Sequence, residues 1–221
     1  MVPDSSMKRG HYLLEIYKKL NAHFGDLNWW PGNSPFEVIA GAILTQNTAW
    51  RNVEKAITRL KSKNLLHPAR ILEIDDSALA DLIRPAGYYN IKTRRLKSFI
   101  RFLYDEYGGK LDNMFAEDLW RLRTRLLTVK GIGEETADSI LLYAGRKPIF
   151  VVDAYTRRVL QRHDIVRSNA TYKDIQNLFM THLPHSAPLY NQYHALFVNT
   201  GKYFCTRKPR CEGCPLQSQI Y

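Results

Sequence analysis

The chain has 221 residues, 45% of them hydrophobic and 12% aromatic, and its 32 Lys and Arg against 21 Asp and Glu give a net charge of +11. This apolar fraction excludes an intrinsically disordered chain, and no run approaches the ~18 consecutive apolar residues of a membrane span. The charge excess points to a polyanionic partner, of which nucleic acid is the commonest.

The N-terminal MVPDSSMKRGHYLLEIYKKL has no basic-then-apolar signal pattern, so a cytoplasmic location is expected, nucleoid-associated in a bacterium. Tyr12, Leu13, Ile16, Tyr17 and Leu20 instead form one apolar stripe of a helix. Asn33, Ser34 and Pro35 supply a cap and first turn for a more fully buried helix through Phe36, Ile39, Ile43 and Leu44. Further helical stripes run through Val53 to Leu60, Leu96 to Leu103, Leu119 to Leu127, Ile140 to Ala144, Ile175 to Phe179 and Leu189 to Phe197. Ile149-Phe150-Val151-Val152 is the one β-branched, aromatic run, and it is too short and isolated to build a sheet. The fold class is therefore all-α, with about ten helices and no internal repeat.

Chemistry concentrates after Leu119. Val129-Lys130-Gly131-Ile132-Gly133 is a GxG turn between two helices, the second running from about Glu134 to Ala144. Glycines there permit close backbone approach, and outward N–H groups can hold a phosphate without reading bases, with Lys130 adding charge. A plain helical hairpin explains the same residues. Asp153 follows a Pro-containing loop and precedes a helix, where it can act as a cap. The three cysteines, Cys205, Cys211 and Cys214, are clustered and odd in number, which suits metal or iron–sulfur ligation better than disulfides.

SPFEVIAGAILTQNT, VKGIGEETADSILLYAGRKPIFVVDAYTRRV and GKYFCTRKPRCEGCP, in this order, resemble the endonuclease III superfamily of helix-hairpin-helix DNA glycosylases. The resemblance covers about Trp29 to Pro215. It implies two lobes: a six-helix lobe over 31–147, with the hairpin at about 118–145, and a second lobe of 1–30 plus 148–221. Double-stranded DNA containing a damaged base would lie across the cleft between them, and a monomer is expected. By the same resemblance Asp153 is the catalytic carboxylate, Gln46 fills the gap left by a flipped nucleotide, and Gly131, Gly133, Lys130 and Arg157 contact DNA.

Two departures refine this. Endonuclease III proper carries a Schiff-base Lys two residues after GxG, and here that residue is Glu135. A carboxylate cannot form an imine, so water becomes the expected nucleophile and the enzyme monofunctional. The cysteines form C-x5-C-x2-C, against the family's four-ligand C-x6-C-x2-C-x5-C, and the fourth position falls near Ile220. An iron–sulfur cluster with a non-Cys fourth ligand, a three-iron cluster and a vestige are all open.

WWP, LTQNTxW and RPAGYYNIKTRRL look most like the 3-methyladenine DNA glycosylase III branch, which makes Trp29, Pro31 and Trp50 the base-stacking positions. Cationic alkylated purines would gain cation–π attraction there. An adenine-mismatch glycosylase would need Glu where Gly41 stands, and Glu37 does not restore that pattern. The basic clusters Lys92, Arg94, Arg95, Lys97 and Arg101, then Arg157, Arg158 and Arg162, then Lys202, Arg207, Lys208 and Arg210 are expected to meet phosphates. The alternatives are a bifunctional oxidised-pyrimidine glycosylase with AP lyase activity, or a non-catalytic DNA-structure-binding protein.

Overall fold

The computed structural model describes residues 6–30 and 32–217. Twelve α-helices occur among them: α1 Ser6–Phe24, α2 Pro35–Leu44, α3 Trp50–Ser62, α4 Pro68–Glu73, α5 Asp76–Ile83, α6 Tyr89–Tyr107, α7 Leu111–Ala116, α8 Leu119–Thr128, α9 Glu134–Ser139, α10 Ala154–Arg162, α11 Tyr172–His182 and α12 Ala187–Tyr203. No strand is present among the described residues. The chain forms two compact units, one of Trp30–Lys147 and one of the residues up to Trp29 together with those from Pro148 onward.

In the Trp30–Lys147 unit, α2 is the core helix. Ser34 caps it by accepting from the Glu37 N–H, Pro35 opens it, and every residue from Phe36 to Leu44 is buried. It packs against α3, α6 and α9. The unit holds eight α-helices, of which α4, α7 and α9 have only six residues each. The helix expected to run unbroken to Ala144 also differs: α9 ends at Ser139, and Ile140–Ala144 widen into a π turn.

The α6 face needs a correction. Leu96, Phe99, Ile100 and Leu103 form the expected buried stripe, but Lys92 and Lys97 are buried with them. Lys97 pairs with Asp76 at 2.7 Å, so it is an internal ion-pair partner rather than a phosphate contact. Arg94 and Arg101 remain exposed on this helix.

The other unit packs α10 on α12 and α1 on both α11 and α12. Ile149–Val152 is extended but pairs with no strand; all four residues are buried, and Gln176 Nε2 donates to the Phe150 carbonyl at 2.7 Å. Phe150 stacks on Phe179 at 3.9 Å between centroids. Tyr193 stacks on Phe197 and donates its hydroxyl to the Leu13 carbonyl at 2.7 Å, tying α12 to α1. A buried aromatic of this kind contributes roughly 1.5–3 kcal/mol through surface removed from water.

Candidate active site

The hairpin is α8, the turn 129–133 and α9. Gly131 has φ +92°, a region that side chains avoid, and a Cβ there would lie 2.4 Å from Arg95 Cγ. Gly133 is the N-cap residue of α9, with nothing within 4 Å of where its Cβ would be. Ile132 anchors the turn by burial, whereas Lys130 is exposed. Arg123 on α8 grips the fully buried Asp138 on α9 through Nε–Oδ1 at 2.7 Å and Nη2–Oδ2 at 3.1 Å. That two-point ion pair fixes the angle of the two helices. Glu135 is exposed in the first turn of α9, where the macrodipole favours a carboxylate.

Gln46 follows α2. Its Nε2 donates to the Gly131 carbonyl and to Thr136 Oγ1, both at 2.9 Å, and its Oε1 accepts from Arg95. The side chain is thus docked on the hairpin turn, with both ends of its amide used. Lys92, behind this segment, donates to the Leu44 and Ala86 carbonyls and to Thr48 Oγ1 at 2.7–2.8 Å. It closes the C-terminal end of α2, and burial, reinforced by Arg95, brings its ammonium down to about 8.

Trp50 meets Trp30 edge-on at 5.1 Å, and Trp30 lies 4.9 Å from Tyr143. Gly41 is the floor of this cluster: a Cβ there would stand 3.3 Å from Trp30 Nε1 and 3.5 Å from the Trp50 ring. A Glu at that position would collide with both indoles. Trp30 is thus a ring partner of Trp50. Trp29 is half-buried in the other unit, and Pro31 lies outside the described residues.

Asp153 is the N-cap of α10. Its Oδ1 accepts from the Thr156 N–H at 2.7 Å, and its Oδ2 stands 3.7 Å from Nε2 of His194, which is buried on α12. Capping leaves the second carboxylate oxygen for chemistry, so a cap and a reacting group are compatible in one residue. Arg157 is half-buried, and its Nη1 donates to the Ala170 carbonyl, so part of the guanidinium is committed within the protein.

The profile of the HhH-GPD superfamily of base excision DNA repair proteins matches residues 40–185, which contain the hairpin and the carboxylate. The chain belongs to this superfamily. It is a DNA glycosylase, an enzyme acting on N-glycosyl bonds in base excision repair. A protein of Methanocaldococcus jannaschii named as a DNA repair glycosylase is 45% identical over 206 residues, 93% of this chain and 94% of that one. The Helicobacter pylori 3-methyladenine DNA glycosylase, solved with 1,N6-ethenoadenine, is 29% identical with a TM-score of 0.75, covering 88% of this chain and 97% of that one. A trapped endonuclease III–DNA covalent intermediate shares the fold at a TM-score of 0.82 and 23% identity, covering 95% and 94%.

The glycosylase's Cys-rich loop does not fit the four-thiolate cluster of endonuclease III. Cys205 is buried, with its Sγ 3.3 Å from Arg162 Nη1, Cys211 is exposed and Cys214 is half-buried. Burial pushes the Cys214 thiol up. Among the described residues no three ligating side chains gather at metal-holding geometry. Arginines hold the loop instead: Arg162 Nη1 donates to the Thr206 carbonyl at 2.5 Å, Arg162 Nη2 to Arg207 at 3.1 Å, and Arg158 Nε to Cys205 at 2.6 Å.

His194, Thr136 and Trp30 were not singled out by the sequence. The dipeptide Trp29-Trp30 could have flagged the last. A lone His in an apolar helix gives no such signal. Tyr88 is another: it is 67% exposed with φ +46°, and the adjoining Gly87 lies beside Thr48 in the Gln46 segment.

Proposed function

We propose that this DNA glycosylase removes alkylated purines from double-stranded DNA by Asp153-assisted attack of water, without an AP lyase step. The observation that carries the reading is Glu135, an exposed carboxylate in the hairpin helix at the position of the endonuclease III amine. Two other lysines are engaged within the protein: Lys92 is enclosed by three acceptors, and Lys147 Nζ donates to the Glu117 carbonyl at 2.7 Å, whereas Lys130 and Lys202 are exposed, which is why borohydride trapping is part of the test. Cleavage of the bond from C1′ to the base nitrogen leaves a cationic, oxocarbenium-like sugar. The base departs with the bonding pair, the Asp153 carboxylate stabilises the sugar cation and orients water, and as the water oxygen bonds to C1′ its proton passes to the carboxylate and on to solvent.

The indoles of Trp30 and Trp50, with Tyr143, offer π faces and edges of the kind that attract a cationic purine such as 3-methyladenine. The 29% identity to a 3-methyladenine glycosylase supports the same class of substrate. Gln46 takes the place of the extruded nucleotide, and the hairpin holds the backbone.

The test is base release from dimethyl-sulfate-treated duplex DNA and from duplexes with one 1,N6-ethenoadenine, thymine glycol or uracil, with borohydride present in a parallel set. Release of methylated purines without a covalent protein–DNA adduct is expected. A borohydride-trapped adduct, or release confined to oxidised pyrimidines, would defeat the reading.

A further inference from the structure

We propose that His194 is the positioning residue of the Asp153 carboxylate, holding Oδ2 toward the reacting sugar while Oδ1 is held by the α10 N-terminus. The proposal rests on the reading of Asp153 as the catalytic carboxylate. Two facts put the pair together. Asp153 Oδ1 is committed to the Thr156 N–H at 2.7 Å, which fixes one end of the carboxyl group. His194 Nε2 faces the other oxygen at 3.7 Å, with side-chain exposures of only 5% and 13%.

The imidazole is held firmly because α12 is pressed against α10. A Cβ on Gly201 would lie 2.5 Å from Tyr155 Cδ1, so only glycine permits this approach of the helices. Arg158 of α10 donates to the Gly201 carbonyl at 3.0 Å and to the Cys205 carbonyl at 2.6 Å, tying the far end of α12 as well. Tyr190, Tyr193 and Phe197 are fully buried around the same turns of α12. With both helices locked, the Asp153–His194 separation is a property of the packing rather than of two mobile side chains.

A separation of 3.7 Å is longer than a hydrogen bond, and catalytic contacts in substrate-free enzymes commonly tighten when substrate binds. A carboxylate rotation of under an ångström would close it, with Nε2–H donating to Oδ2. Burial lowers the imidazole's proton affinity, while Asp153 raises it. A neutral imidazole of this kind orients the carboxylate without cancelling the charge needed against the sugar cation.

The experiment compares His194→Leu, His194→Gln and Asp153→Asn in single-turnover release of methylated purines from dimethyl-sulfate-treated duplex, alongside the Kd for a duplex carrying a tetrahydrofuran abasic analogue. His194→Leu should slow release about 10- to 100-fold, the scale of a misplaced catalytic group, with Kd changed less than about threefold. His194→Gln, which restores an N–H donor, should recover most of the rate. A His194→Leu rate equal to wild type, or a His194→Gln rate as slow as His194→Leu, would overturn the proposal. Asp153→Asn tests the underlying reading separately: release persisting in that variant removes Asp153 from catalysis, whatever His194 does. Nitrogen-15 NMR of histidine-labelled wild type needs no variant to fold and no substrate to be turned over. The Nε2–H tautomer at His194 is expected, and an Nδ1–H tautomer would overturn the proposal.

Discussion

Gln46 Nε2 donates to the Gly131 carbonyl at 2.9 Å, across 85 residues of sequence. Gln46 is thereby docked on the hairpin turn, with Arg95 bonded to the one and packed on the other. Gly131→Ala must place a methyl group into the Arg95 stem at φ +92°. A loss of roughly 1–2 kcal/mol of stability is expected from the left-handed backbone alone. Thermal melting measures it, with weaker binding of duplex DNA in a shift assay. An unchanged melting curve would mean that Arg95 gives way and the turn accepts alanine.

The Arg123–Asp138 pair carries a larger penalty. Asp138 is fully buried, and Arg123 is nearly so. Asp138→Ala breaks a two-point ion pair with one partner fully buried and leaves Arg123 its 3.5 Å ion pair with the exposed Glu134, so a cost of about 3 kcal/mol, the lower end for a broken buried pair, is expected. Urea unfolding at neutral pH is the measurement. Arg123→Met with Asp138→Leu should be far less harmful than either single change, because no charge is then left unpaired.

Lys92 makes stability depend on alkaline pH. Its ammonium titrates at about 8 in the folded chain, below its ordinary 10.5. Between those values the unfolded chain binds more protons, so this residue's contribution to stability rises with pH. Below about pH 8 both states are protonated and the term is flat. The stability difference between wild type and Lys92→Met should therefore grow in favour of wild type from pH 8 to 10. A difference independent of pH would show that Lys92 titrates normally.

Arg162 should matter for the Cys-rich loop. It donates to the Thr206 and Arg207 carbonyls and approaches Cys205 Sγ. Arg162→Ala should cost roughly 1–3 kcal/mol through carbonyls left without their charged donor. Limited proteolysis should then cut within residues 205–210 faster than in wild type. Equal cutting rates would mean that Arg162 does not order the loop.

Much of the molecule was legible in the amino-acid order. Ser34-Pro35, the stripes of α1, α3 and α6, and the GxG turn are local signals, set by caps, periodicity and glycine stereochemistry within a few residues. The six-residue helices α4 and α7 lie below the length at which a stripe can be read. The same limit concealed which lysines of α6 are buried. Position on a helix names a face, and the neighbours of that face come from elsewhere in the chain.

By itself, the sequence determined an all-α glycosylase, a GxG turn between helices, a carboxylate at 153 and the absence of an amine at 135, because each is written in adjacent residues. Tertiary structure decided which distant groups meet them. Gln46 sits on Gly131, Trp30 meets Trp50, Arg162 clamps the cysteine loop, and His194 stands behind Asp153. Those pairings depend on how helices pack, and packing is settled by volume and burial summed over the whole core.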